Sequence, residues 1–407
     1  MNPTVLIAAT AHWFPTARLG MALANAGCMV EAVCPTGHPI GLTSAVRRTH
    51  AYRGLAPIES FAAAIAAASP NLIVPSDDVA VGHLHKLYDR ERRRGEAGTA
   101  TCALIERSLG TPASFSVVRK RALFMQLAEE EGVRVPKTEV IATTDDLERC
   151  AAQMGFPLVL KSDGSSGGYG VRIVRTYEQA ERAFRKLQAP PLLARAAKRA
   201  LVNQDTTLVW PSLFRERFVV SAQAAVAGRE ATSTVACWNG AILASLHFEV
   251  LKKHDSTGPT TVLRLIENAE MSLAAEKMVR RLGLSGVIGL DFMLETQSGD
   301  AYLIEINPRA TQVGHLALGP GRDLPAALYA AISGNSVRES PKVTASDVIA
   351  LFPHEWLKNP ESQFLQSGYH DVPWQEPQLI RACVGTRRKQ LTGIPPLNPP
   401  LLVKNVH

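Results

Sequence analysis

The stretch GLDFMLETQSGDAYLIEINPR carries Asp291, Glu305, Asn307 and Arg309, three hard oxygen ligands followed by a fixed cation. Counted inward, Asp291 and Glu305 meet at Ser298 in the polar turn TQSGD, so a hairpin centred there sets the two carboxylates opposite each other. Side chains alternate along a strand, which brings Asn307 to the same face and sends Phe292, Leu294, Ile304 and Ile306 toward a core. Two carboxylates that close repel unless a cation sits between them. Oxygen ligands in this number suit Mg2+ or Mn2+, which take one or two carboxylates when substrate phosphates complete the coordination. The stretch predicts a phosphate donor nearby; the alternative is a surface meander with a solvated polar face.

A second segment fits a phosphate. FPLVLKSDGSSGGYGVRIV reads strand, Gly/Ser-rich turn, strand, with Lys161 ending the first strand and Gly164, Gly167, Gly168 and Gly170 in the turn. Bare backbone N–H groups in such a loop close on phosphate oxygens, and Lys161 adds a point charge. The loop lacks GxxxxGK[ST] and no helix follows it, so it is not a P-loop. A plain hairpin turn would also take these residues, although it needs fewer of them.

The elements that must position these groups are legible from patterning. The first hundred residues alternate VLIAAT, a helix from Ala17 to Ala26, CMVEAVCP, a helix over IESFAAAIAAA, NLIVPSDD and a helix over VGHLHKLYDRER. Strands separated by helices predict a parallel sheet with right-handed crossovers. Ser76, Asp77 and Asp78 follow a strand, where open α/β sheets bind ligands, although a helix N-cap would account for one of the three. His12, Thr16 and Arg18 follow the first strand without a glycine fingerprint, so that turn does not bind a dinucleotide.

Beyond Ser114 a helix over SVVRKRALFMQLAEEEG ends at Gly132, a strand VRVPKTEVI follows, and a helix over TTDDLERCAAQMG stops at Gly155. RFVVSAQAAVAGREATSTVACWNGAILASLHFEV reads as consecutive antiparallel strands with turns at Ala227-Gly228 and Asn239-Gly240, the second a strong hairpin signal. A helix from Ala269 to Leu282 leads into the acidic hairpin, and DLPAALYAAISG closes the unit at Gly334. Residues 335–407 are Pro-rich and irregular.

At 407 residues the chain implies two to three domains, and 46% hydrophobic with 20% charged residues is a globular composition. No apolar run reaches the ~18 residues of a membrane span, and MNPTVLIAATAHWFP lacks a basic n-region, so the expectation is a cytoplasmic protein. Cys28, Cys34, Cys102, Cys150, Cys237 and Cys383 form no CxxC pair and read as reduced thiols. The densest charge run, DRERRR, mixes signs and lacks interleaved aromatics, which favours a solvated helix end over a nucleic-acid patch. The net charge of +7 suits anionic small molecules.

A lysine on a helix, a lysine before a Gly/Ser loop between strands, a hinge strand and then the D…E-x-N hairpin follow in the order found in the ATP-grasp superfamily, which the chain resembles over residues 112–334. The resemblance implies an α/β and α+β fold: an N-terminal parallel α/β domain (1–111), then a two-subdomain ATP-grasp fold (112–334, lid-bearing subdomain about 134–226), and a C-terminal appendage (335–407). It assigns Lys120, Lys161 and the lid residues Gly164, Ser165, Ser166, Gly167 and Gly168 to the ATP phosphates, and Gln223, Val226 and Glu230 to adenine and ribose. Gln223 stands where a glutamate is commoner, and its side-chain oxygen still accepts from an adenine amino group. Asp291, Glu305 and Asn307 match the metal ligands, Arg309 the arginine beside the transferring phosphoryl group, and Lys161, Asn307 and Arg309 together the catalytic set. Arg264, Gln312 and His315 are candidate substrate contacts, and the loop from Asp255 to Pro259 could cover the acceptor.

The implied activity is ATP- and Mg2+-dependent (or Mn2+-dependent) joining of a small-molecule carboxylate to an amine through an acyl-phosphate. No nucleic acid or membrane is expected as a partner, and a homodimer stands open beside a monomer. A bicarbonate-using carboxylase or carbamoyl-phosphate-type enzyme and a non-catalytic ATP-binding regulator are the alternatives.

Overall fold

The computed structural model describes residues 2–163, 170–202, 208–255, 258–338 and 340–390. The N-terminal strands β1 (Thr4–Ala8), β2 (Met29–Cys34), β3 (Val46–Ala51) and β4 (Leu72–Pro75) form a parallel sheet in the order β3-β2-β1-β4. Val5, Ile7, Leu72 and Val74 fill one core while Leu6, Ala8 and Ile73 fill another, so helices cover both faces. β3 reads VRRTHA, half-exposed and charged as suits an edge, and shows no apolar alternation by which the sequence could reveal it. At the charge run, buried Glu91 pairs with Arg90 and Arg94 at 2.8 and 2.7 Å, an ion-paired helix end.

The chain reverses direction of winding between β1 and β4, and the crevice at their carboxyl ends is the switch point of this sheet. Thr10 crosses it, donating through its backbone N and Oγ1 to Asp77, each at 2.7 Å. Asp77 also accepts from the backbone N of Ala80 at 2.8 Å, capping the helix Asp78–Arg93.

A second, antiparallel sheet consists of β5 (Thr138–Ile141), β6 (Leu158–Ser162), β7 (Val171–Val174) and β8 (Val220–Ala224), in the order β5-β8-β6-β7. The helices Thr144–Met154, with a Thr143/Asp146 capping box, and Tyr177–Gln188 bury Leu147 and Phe184 against Leu158, Leu160, Val220 and Ala222.

The third sheet is the largest. It contains β9 (Gly228–Trp238), β10 (Ala241–Lys253), β11 (Thr260–Leu265), β12 (Gly286–Glu295), β13 (Ala301–Asn307), β14 (Val348–Ala350) and β15 (Tyr369–His370), in the order β13-β12-β9-β10-β11-β14-β15. Asn239 and Gly240, at φ of 50° and 81°, make the tight β9–β10 hairpin that the Asn-Gly pair predicts. The helix Ala269–Leu282 packs Met271, Met278 and Leu282 on Phe292 and Leu303 beneath this sheet.

Four sequence expectations change here. The helix read from Ser114 begins only at Arg121; Pro112–Ser114 is a short 3-10 turn, and Lys120 is the exposed N-cap residue, not a helical one. The strands on either side of Ala227-Gly228 do not pair: β8 belongs to the second sheet and β9 to the third, so this turn carries the chain between sheets. Gly228 is required there because a Cβ would lie 2.1 Å from the Leu294 carbonyl oxygen. The acidic hairpin contains a β-bulge: Asp291 faces Glu305 but Phe292 faces Leu303, so Leu303 takes the core position expected for Ile304. The Pro-rich C-terminal region supplies β14, which pairs with β11, and β15 beside it. Among the described residues no helix is long and apolar enough to cross a membrane.

Candidate active site

β12 and β13 place Asp291 directly opposite Glu305, an opposition that the bulge restores after strand pairs one residue off a hairpin centred on Ser298. Asp291 is held by Thr232 Oγ1 from the neighbouring strand β9 and by Asn307 Nδ2, each donating at 2.9 Å. Burial and the charge of Glu305 push its carboxyl above the usual carboxylate range. Burial would raise Glu305 too, but the charges of Arg121 and Lys161 and a hydrogen bond from Arg121 outweigh it and hold that group below its ordinary value.

The bulge gives the site a further function of backbone. It turns the Ile304 carbonyl toward Lys161 Nζ, 3.5 Å away, so a lysine only 4% exposed reaches across from β6 to the acidic strand. Burial drives the Lys161 ammonium down to about 8, against the raising influence of Glu305, Asp291 and Glu230. From the other side Arg121 Nη2 pairs with Glu305 Oε1 at 2.8 Å while its Nη1 lies 3.5 Å from Asp163. Arg121 is thus the cation of the basic run that meets the acidic pair, while Lys120, expected at the ATP phosphates, is exposed at the N-cap beside it.

Among the described residues no three His, Cys, Asp or Glu side chains cluster as a ready metal cage. Asp291, Glu305 and the Asn307 amide oxygen are the oxygen donors of this face that could hold a divalent ion, its remaining oxygens coming from phosphate and water.

On the crossing segment, Gln223 is buried and donates through Nε2 to Thr138 Oγ1 at 3.0 Å. Val226 is half-buried in the connection, and Glu230 Oε1 pairs with Lys253 Nζ at 2.6 Å. Gly164, Ser165, Ser166, Gly167 and Gly168 lie outside the described residues, as do residues 256 and 257 of the candidate acceptor loop.

Arg309 ties the acidic hairpin to the N-terminal sheet. Its Nε bonds Asp78 Oδ2 at 3.1 Å, its Nη2 donates to Asn307 Oδ1 at 3.1 Å, and the next backbone N, of Ala310, donates to the Pro75 carbonyl at 2.9 Å. Of the triplet Ser76, Asp77 and Asp78, Asp77 is thus the helix cap and Asp78 the group that meets the site. Gln312 donates to the Thr260 carbonyl at 3.2 Å. His315 does not face an open cleft: it is buried, with Nε2 2.6 Å from Asp371, whose carboxylate also binds Arg18. Arg264 is exposed on β11, 3.7 Å from Glu249 and 3.9 Å from Asp347, and makes no contact with the acidic pair. Arg121, Thr232 and Asp371 were missed by sequence reasoning; only the basic run Arg119 to Arg121 offered a signal, and it did not say which cation points inward.

Residues 120–318 match the family described as carbamoyl-phosphate synthase L chain, ATP binding domain. Carbamoyl phosphate synthase large chain, N-terminal section, of Aquifex aeolicus is 23% identical over 214 residues, covering 50% of this chain and 35% of that protein. The arginine-specific large chain of Cutaneotrichosporon cutaneum is 26% identical over 252 residues, covering 60% of this chain and 19% of its own. The chain thus spans about a third or less of the length of these relatives. Among solved structures, N5-carboxyaminoimidazole synthetase from Staphylococcus aureus complexed with ADP superposes with a TM-score of 0.57 at 13% identity, covering 84% of this chain and 80% of that one. A biotin carboxylase complex from Campylobacter jejuni gives 0.58 at 14%, covering 83% and 72%. At these identities the likeness of structure establishes the fold.

Proposed function

Because the chain belongs to the ATP-grasp superfamily, we propose that it is an ATP-dependent carboxylate-amine ligase acting on small molecules. The observation that carries this reading is the direct opposition of Asp291 and Glu305 between Lys161 and Arg309. A divalent ion such as Mg2+, when bound, would supply charge neutralisation to the phosphates of ATP. Asp291, Glu305 and Asn307 would hold it. Lys161 contributes a buried ammonium to the phosphates, and the lid Gly164 to Gly168 excludes water. Gln223, Val226 and Glu230 bind the nucleoside, with Lys120 and Arg121 at the outer edge of the phosphate site.

A carboxylate oxygen of the first substrate attacks the γ-phosphorus as the bond to ADP breaks, giving an acyl-phosphate. Arg309, aimed by Asp78 and Asn307, holds the charge on the transferring phosphoryl group. The amine then attacks the acyl carbon, loses a proton and expels inorganic phosphate, leaving an amide. None of these steps needs a nucleophile from the protein.

We assign residues 1–111 to the N-terminal domain and 112–334 to a two-subdomain ATP-grasp unit, with the second sheet in the lid-bearing subdomain of about 134–226. Residues 335–407 are the C-terminal part. The six unpaired cysteines suit a cytoplasmic enzyme, and a homodimer is the proposed assembly, tested by light scattering. A second reading, with bicarbonate as the carboxylate, draws on a similar carboxylase domain solved in complex with bicarbonate. An ADP-release assay with Mg2+ across carboxylates, amines and their pairs, with product mass, tests both: turnover on bicarbonate alone selects the second, turnover on a pair the first.

A further inference from the structure

Six of the 17 large apolar side chains exposed among the described residues fall between Leu192 and Val219, in the connection from the helix Tyr177–Gln188 to β8. Leu192 is 74% exposed and Phe214 69%, with Leu193, Trp210 and Leu213 also open to solvent. Scattered exposed leucines are ordinary, whereas a concentration of them marks an interaction surface. These residues form one patch. Ser212 Oγ donates to the Pro191 carbonyl at 2.8 Å, which sets the short helix Val209–Leu213 against the start of the helix Leu193–Val202. The Trp210 and Phe214 rings stack with centroids 5.9 Å apart. The two helices pack on each other more than on any other element, around buried Ala196 and Ser212, and leave the patch uncovered by the described residues.

The charge beside the patch is of one sign. Between Glu181 and Phe218 the sequence places eight Lys or Arg against two acids, Asp205 and Glu216, in a chain whose whole net charge is +7. Lys198 on the longer helix and Arg215 and Arg217 just beyond Phe214 are exposed. A second copy of the same surface would bring positive charge to positive charge, so the patch is not built to meet itself. A single-stranded nucleic acid would use the aromatic rings and the arginines but leave Leu192, Leu193 and Leu213 in water. Leucines and an indole flanked by cationic stems suit the interface of a bilayer instead. There the acyl boundary buries the aliphatic groups, the indole sits at headgroup level and the cations meet anionic lipid.

We infer that the paired helices Leu193–Val202 and Val209–Leu213 form a docking surface for an anionic lipid bilayer, with Leu192, Leu193, Trp210, Leu213 and Phe214 at the acyl boundary and Lys198, Arg215 and Arg217 at the headgroup phosphates. Such docking needs no spanning segment, so the expectation of no membrane partner, drawn from the lack of a spanning run, gives way to a peripheral contact. The surface lies apart in sequence from the acidic hairpin, and its binding does not depend on the ligase reading.

Co-sedimentation of the full chain with vesicles of phosphatidylcholine alone, and of equal parts phosphatidylcholine and phosphatidylglycerol, tests the inference. The mixed vesicles are expected to bind about tenfold or more tightly than the neutral ones, with the difference lost at high salt. Trp210→Ser combined with Phe214→Ser weakens that binding about tenfold or more by removing apolar contact, and Lys198→Glu combined with Arg217→Glu does so by removing charge. Circular dichroism checks that each double variant is folded, and the second keeps the test open should the first not be. No binding to the mixed vesicles, equal binding to both kinds, or binding that survives either folded double variant overturns the inference. A patch-dependent dimer in light scattering, or capture of a single-stranded oligonucleotide, without vesicle binding would overturn it as well and give the surface to a second copy or to a nucleic acid.

Discussion

Arg309 and Asp78 lie 231 residues apart in sequence and form an ion pair of 3.1 Å, which fastens the end of the acidic hairpin to the switch point of the N-terminal sheet. The pair decides where the guanidinium points, since its other contacts are the Asn307 amide and its own neighbour's carbonyl. Replacing Asp78 by Asn removes the charge and keeps the shape. Turnover is expected to fall on the order of 10²-fold, as for a misplaced catalytic cation, with the affinity for MgADP unchanged. Steady-state kinetics beside nucleotide titration check this; an equal loss in nucleotide affinity would show that Asp78 supports the ATP site as a whole.

With Lys161 on the nucleotide phosphates, as proposed, its buried ammonium should make nucleotide binding depend on pH in a defined direction. In the free protein burial lowers it to about 8, and a phosphate placed on it favours the charged form, so its pKa is higher in the complex. Affinity is then flat below about pH 8 and weakens by up to about tenfold per unit as pH rises through that value. ADP titrations between about pH 7 and about pH 9 should show this loss, and Lys161→Met should bind weakly with no such slope. A flat profile in the wild type would place Lys161 away from the phosphates.

Glu305 is the carboxylate shared by Arg121 and the proposed ion. Glu305→Gln is expected to abolish Mg2+-dependent turnover while leaving the circular dichroism spectrum unchanged. Arg121→Ala removes the competing cation, so the Mg2+ concentration needed for half-maximal activity should drop if the guanidinium and the ion contend for Glu305. Unchanged activity in the Gln variant would dismiss the metal assignment.

The bulge in β13 has a signature in stability. Leu303 is fully buried against the helix Ala269–Leu282, whereas Ile304 is half-exposed. Leu303→Ala is expected to cost about 2–5 kcal/mol and Ile304→Ala clearly less. Chemical denaturation midpoints measure both. Equal losses would mean that the strand runs without the bulge.

The Asn-Gly turn and the alternating N-terminal domain were legible because each follows from local periodicity or turn chemistry, and the opposition of Asp291 and Glu305 was met only because a bulge offsets strand pairs that stand one residue off a hairpin centred on Ser298. A bulge leaves no mark in such a period, so the exchange of Ile304 for Leu303 was not legible. The sequence Val117-Val118-Arg119-Lys120-Arg121 supports a helix starting at several points, and only packing decides that Arg121, not Lys120, turns toward Glu305. The turn at Ala227-Gly228 looks the same whether its strands pair or part, and the pairing of β9 with β12 selects parting. His315 and Asp371 are 56 residues apart on segments without a common pattern, and nothing short of the fold joins them.

In the proposed reaction a carboxylate is activated by ATP at the acidic hairpin and then joined to an amine. ADP release measured with MgATP, one carboxylate and one amine, alone and together, tests it most directly. Turnover is expected to require both substrates for full rate, to give an amide product by mass, and to be lost in Glu305→Gln. Saturable ATP binding with no ADP release on any pair would contradict it and leave a nucleotide-binding protein without ligase chemistry.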